Sequence, residues 1–231
     1  MQLSLRERIL HVYKGKIPDV VPFMLDLSHW FYHKTGAPWD LSSSYQEPEK
    51  ALVDYHKRMG VGFYMPNLAA FFSVEHTGGV NLEINKEFQA GKCEIVWRYN
   101  TPIGSIERRR IWNSNTYSWS VSRWGVESAN DIRVLEYALT SRRYVPQWDN
   151  YKAWANYVGD IGVVYIPAGY SAVGQLLHYW MGIERFVYAA HDYPNTMREV
   201  VERINANNLE CIDMLCSSPA EVIIMGDNFS S

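Results

Sequence analysis

Glu221-Val222-Ile223-Ile224-Met225-Gly226-Asp227-Asn228 is the stretch on which the reading of the fold turns. A short apolar run with β-branched residues predicts a buried strand. A glycine, a carboxylate and an amide follow it at once. In barrel and doubly wound α/β enzymes, chemistry is placed at the carboxyl ends of buried parallel strands. Asp227 and Asn228 are therefore candidate site residues. A strand of this kind needs neighbours on both sides, and the sequence runs only to Ser231. The ending thus predicts a catalytic face and a further C-terminal portion.

Working back along the chain, three more runs have the same character. Residues 20–25 end at Asp26, residues 61–65 end at Pro66-Asn67, and residues 161–166 end at Pro167-Ala168-Gly169-Tyr170. Helical spacing occupies the segments between and after them, at 3–13, 28–34, 47–59, 128–139, 150–157, 172–180, 183–190 and 194–215. Strands alternating with helices imply parallel βα units. One stretch, 71–124, breaks that rhythm. Strand-like runs at 72–77, 80–84, 93–99, 105–112 and 116–124 are separated by Gly78-Gly79, Ala90-Gly91, Thr101-Pro102-Ile103-Gly104 and Asn113-Ser114-Asn115. This predicts an antiparallel β-meander inserted between βα units. Arg108-Arg109-Arg110 falls inside it, and the alternation over 105–112 predicts the solvated face of a strand.

Composition narrows the class. The chain has 231 residues, 47% hydrophobic and 20% charged, which describes a folded globular protein. A net charge of -3 gives no basic surface for nucleic acid or an anionic membrane. No apolar run reaches the ~20 residues of a membrane span, and the first twelve residues lack the apolar stretch of a signal peptide. The expectation is a cytoplasmic protein. The three cysteines, Cys93, Cys211 and Cys216, fit no zinc spacing and read as buried or unreactive thiols, so no metal ligands are expected within this chain. Nine tryptophans and sixteen tyrosines, many between Trp97 and Trp180, suit a well-packed core, an interface or a pocket for a flat ligand.

The order of these segments resembles the uroporphyrinogen decarboxylase (URO-D) superfamily, which includes that heme-pathway enzyme and the corrinoid-dependent methyltransferases related to it. Arg6-Glu7-Arg8-Ile9 through Pro18-Asp19-Val20-Val21-Pro22 is similar to the family's opening helix and its link into the first strand. Thr101-Pro102-Ile103-Gly104 resembles the "TPxG" turn of the methyltransferase-like branch. Tyr179-Trp180-Met181-Gly182-Ile183-Glu184-Arg185-Phe186, Asp192-Tyr193-Pro194 and Gly226-Asp227-Asn228 resemble further motifs of that branch in the right order. The resemblance implies an α/β fold: a (β/α)8 TIM barrel of the URO-D type, represented here by about half its strands in a single domain over 1–231, with the meander at 71–124 as an insertion.

The same resemblance implies a site at the barrel mouth. Asp26, Asn67 and Asp227 are its candidate catalytic residues. His29, Tyr170, His178, Tyr179 and Asn228 are its candidate substrate contacts. A carboxylate at such a position acts as a general base or orients a neighbour. Read without the family, Asp26 is equally a helix-start charge, Asn67 a turn former, and His178 and Tyr179 packing residues beside Leu176-Leu177. His29 and His33 share a helix face at a zinc-compatible spacing, but no glutamate completes an H-E-x-x-H motif, and a solvent-facing pair is expected.

The reaction the resemblance implies is methyl transfer between a small methylated substrate and a corrinoid or thiol acceptor, with zinc and a corrinoid protein as companions. Uroporphyrinogen decarboxylation is the alternative. Against it, Leu25 and His29 fall where decarboxylases carry arginines for the substrate carboxylates, and Asn67 falls where they carry a catalytic aspartate. A third reading is a non-catalytic half barrel that pairs its exposed sheet edges with another copy as a homo-oligomer.

Overall fold

Ser4 opens the first helix. Its side chain accepts the Glu7 N–H while the Glu7 carboxylate accepts the Ser4 N–H at 2.8 Å, a reciprocal cap for α1 (Leu5–Tyr13). Past α1, Arg8 grips Asp19 at 2.6 Å and holds its carboxyl far below the usual carboxylate range. The chain then enters β1 (Met24–Leu25). Only these two residues pair, although the sequence predicts a strand over 20–25. Val20 and Val21 are exposed, and Pro22 has no N–H for a ladder and restricts the residue before it.

The computed structural model describes residues 2–36, 47–63, 71–89, 92–116 and 118–227. Its next elements are α2 (Ser28–Thr35), α3 (Glu47–Met59) and β2 (Gly62–Phe63). A β-rich stretch follows: β3 (Phe72–His76), β4 (Asn81–Gln89), β5 (Lys92–Thr101), β6 (Gly104–Asn113) and β7 (Ser118–Arg123). Then come α4 (Ala129–Thr140), β8 (Arg142–Pro146), α5 (Trp148–Val158), β9 (Ile166–Pro167), α6 (Ala172–Gln175), a π-helical turn at Leu176–Met181, α7 (Gly182–Asp192), α8 (Pro194–Cys216) and β10 (Ile223–Ile224). The fold is mixed α/β, and no described helix is long and apolar enough to cross a membrane.

The chain divides into two compact units. The first comprises Met1–Ser73, Pro146–Pro167 and Ser217–Ile224 and contains the parallel pairing. β1 lies parallel to β2 with Met24 opposite Gly62. Phe63 bridges in parallel to Gly162, and β9 lies parallel to β10 with Ile166 opposite Ile223. Spatial order therefore follows chain order. Close approach explains the glycines: a Cβ at Gly162 would stand 2.7 Å from the Phe63 carbonyl oxygen, and one at Gly62 would stand 2.8 Å from that of Phe23. The ladders are short and open, and the described residues close no barrel. Their core joins Ile9 and Leu10 of α1 to Val163, Tyr165 and Val222.

The second unit comprises Val74–Val145, Ala168–Cys216 and Met225–Ser231. Its centre is the four-stranded antiparallel meander β4-β5-β6-β7. The tight link at Thr101-Pro102-Ile103-Gly104 sets the β5–β6 register, with Trp97 opposite Arg108 and Tyr99 opposite Ile106. The run predicted at 72–77 is a strand but not part of this sheet. β3 pairs instead with β8, a segment whose charged start, Arg142-Arg143, hid it from a pattern reading. Ser128 and Asp131 form a second capping box at α4. On α8, Met197, Val200, Ile204, Asn207, Cys211 and Leu215 recur every three or four residues and are buried. Together α4, the π-turn and α8 cover one face of the meander in a core that includes Tyr99, Ile106, Leu135, Trp180 and Ile204.

Candidate functional site

Asp227 follows β10 by three residues and is fixed by a short relay. Its Oδ1 accepts the Ser171 N–H at 2.8 Å, and Ser171 Oγ accepts the Gly174 N–H at 3.1 Å, capping α6. Gly174 is a requirement of this arrangement, since a Cβ there would meet Asp227 Oδ1 at 2.2 Å. The carboxylate thus accepts the amide of the residue that caps α6. Its second oxygen is free of hydrogen bonds among the described residues.

Tyr170 stands beside this relay. Its ring lies 4.8 Å from that of His178 and meets the Tyr179 ring edge-on at 5.3 Å. His178 and Tyr179 belong to the π-turn, an irregularity that re-aims side chains and is frequent at functional sites. His178 Nε2 is buried with no hydrogen-bond partner, and the His178 carbonyl accepts Arg110 Nη2 at 3.1 Å. Burial pushes the Tyr179 phenol up, Tyr170 adds to this, and the nearby Arg108 and Arg110 oppose it.

Those arginines correct the sequence reading of 108–110. Only Arg109 lies on the ion-paired face, with Nη1 3.1 Å from both Glu87 and Glu94. Arg108 and Arg110 turn the other way. The Arg108 guanidinium lies 4.2 Å from the Trp97 ring, 5.0 Å from Tyr179 and 5.1 Å from Trp180. Burial, reinforced by the charge of Arg110, pushes Arg108 down to about 10, so it stays charged at neutral pH. The signal was in the period: Arg108 and Arg110 share parity with Ile106 and Trp112, and Arg109 shares it with Glu107.

No family model matches this chain, and neither a curated protein nor a solved structure does.

The remaining expected residues are placed elsewhere. Asp26 belongs to the first unit, directly after β1, is exposed, and accepts the Ser28 N–H at 2.9 Å and the Ser28 hydroxyl at 2.6 Å. These bonds place its carboxylate at the start of α2. His29 is in the first turn of α2. Asn67 and Asn228 lie outside the described residues. The structure therefore gathers Asp227, Tyr170, His178 and Tyr179 in one unit, with Arg108 and Arg110 beside the last two.

One further group escaped sequence reasoning. Glu49, in the first unit, is buried with both carboxylate oxygens lacking a hydrogen-bond partner, and burial alone pushes it up to about 9. It is a neutral acid at pH 7. Its place three, four and seven residues before the buried Leu52, Val53 and His56, on one helix face, is the available clue.

Proposed function

We propose that the parallel segments form about half of a (β/α)8 barrel of the URO-D type. The activity we propose is methyl transfer between a small methylated substrate and a corrinoid or thiol acceptor. The observation that carries this reading is the strand order. Four parallel segments neighbour one another in chain order, as barrel strands do, whereas a doubly wound sheet would permute them. Asp26, Tyr170 and Asp227 each follow the carboxyl end of one such strand within three residues. In chain order the meander falls between the second and third parallel segments, the place of an insertion in this reading.

In methyl transfer the acceptor's lone pair takes the methyl carbon, and the leaving heteroatom keeps the bonding pair. The protein's contribution is to hold donor and acceptor in line. Asp227, anchored on the Ser171 amide with one oxygen left over, is the group that orients the substrate, and Tyr170 supplies a wall beside it. The zinc of the methyltransferase branch does not fit the described residues. No three ligating side chains cluster among them, and burial pushes the Cys211 thiol up to about 11, away from the thiolate a metal needs.

The test incubates the purified protein with reduced cobalamin, or a small thiol, and a panel of methylated amines, alcohols and thioethers. Methylated acceptor should form from one donor class, and Asp227→Asn should slow its formation at least about tenfold without loss of folded protein. Absence of methylated acceptor across the panel would overturn the reading. Carbon dioxide released from uroporphyrinogen would replace it with the decarboxylase.

A further inference from the structure

We propose that Arg108 and Arg110 bind the carboxylate of a small organic anion whose body lies against Tyr170 and Tyr179. The two arginines are alternate residues of β6, so both side chains leave the same face of the meander. Neither has an ion-pair partner among the described residues, although Arg98, Arg109 and Arg123 on the opposite face all reach Glu107. The Nε atoms of both are buried and lack any hydrogen-bond acceptor. Among the described residues the Arg110 side chain makes one hydrogen bond, to the His178 carbonyl, and that of Arg108 makes none.

Two desolvated like charges side by side are unfavourable unless something compensates them. Aromatic faces compensate part, and Trp97, Tyr179 and Trp180 surround Arg108. They hold the guanidinium plane but take none of its N–H groups. Arg142, in the same unit, shows how this chain treats a purely structural arginine. It donates to the Leu139 carbonyl, Asn207, Gln175 and Asn208, with distances of 2.7 to 3.2 Å. Among the described residues Arg108 has no such acceptor and Arg110 has only the His178 carbonyl. They keep free planar donors, the geometry that matches a carboxylate with paired hydrogen bonds.

The neighbours favour an organic anion over a bare ion. Tyr179 lies within 5.0 Å of Arg108 and 5.8 Å of Arg110, and Tyr170 extends the aromatic wall. His178 adds a buried Nε2 without a partner. The inference does not depend on methyl transfer, because it concerns binding alone.

Calorimetric titration of the whole chain with benzoate, and separately with inorganic phosphate, at constant ionic strength tests the assignment. Benzoate should bind with a Kd below about 1 mM, and Arg110→Gln should weaken it about tenfold or more. Arg108→Lys keeps the charge but loses the paired donors, and should also weaken it. Arg109→Gln, on the opposite face, should leave Kd within about twofold. Benzoate should raise the melting temperature of the wild type but not of Arg110→Gln, which also reports whether that variant folds. Absence of saturable binding, equal weakening by Arg109→Gln, or tighter binding of phosphate than of benzoate would overturn the proposal.

Discussion

Arg108 and Arg109 are chain neighbours on β6, yet one residue step separates two ways of holding a cation. Arg109 is ringed by Glu87, Glu94 and Glu107, and Glu107 in turn takes Arg98. That lattice lies across the strands, with Arg109 opposite Val96, which is only 1% exposed. Arg108 has rings instead of carboxylates. The difference teaches what each face is for. A charge network that closes on itself holds the sheet together, and a cation left without a counter-charge is available to a ligand.

The comparison breaks most readily at Glu107, whose side chain is 10% exposed and bridges the network. Glu107→Ala should cost about 2–3 kcal/mol in urea unfolding, because it leaves half-buried guanidiniums short of partners. The same network sets an acid limit. Burial raises the Glu107 pKa, but hydrogen bonds from Arg109 and Arg98 outweigh it and hold the net value below the ordinary 4.5. Its stabilisation is therefore full above that pH and is lost as pH falls through the lowered folded value. A melting temperature that stays level on acidification there would contradict the network's role.

On the aromatic face, Gly125→Ala should destabilise by about 1–3 kcal/mol. Its Cβ would stand 2.5 Å from the Trp180 ring, which is itself packed on Arg108. Near-UV circular dichroism should register the displaced indole, and an unchanged spectrum would argue against that packing. The smallest effect sharpens the contrast most. Arg108→Met removes an uncompensated charge and should be neutral or stabilising by about 1 kcal/mol while losing benzoate binding. A large loss of stability would mean that Arg108 is structural, like Arg109.

What the sequence made legible follows from the range of the forces involved. Capping at Ser128, the helical spacing of α8 and the alternation of the meander are local, and all are present in the structure. Strand partners are not local, so the run at 72–77 was assignable as a strand but not to β8. The parallel strands are shorter than their apolar runs, because apolar content marks burial while Pro22 removes a ladder donor ahead of β1. At the site, Asp227 and Tyr170 were legible from their place after strands. The π-turn was not, because a one-residue slip in helical bonding leaves no periodic trace. Glu49 reads in the sequence as one more charged residue, since its shift comes from burial alone, which depends on packing.

The Phe63–Gly162 bridge has a consequence for how the chain folds. Its partners are about a hundred residues apart, whereas the β5–β6 hairpin closes between Thr101 and Gly104. Closing a loop costs about 0.6 kcal/mol more for each doubling of its length, and hairpins form within about 1–10 μs. Contact range alone therefore favours the meander forming before the parallel ladder. A newly made chain leaves the outer edge of β2 unpaired until Gly162 has been made and has reached Phe63, an interval in which a folding helper would protect that edge.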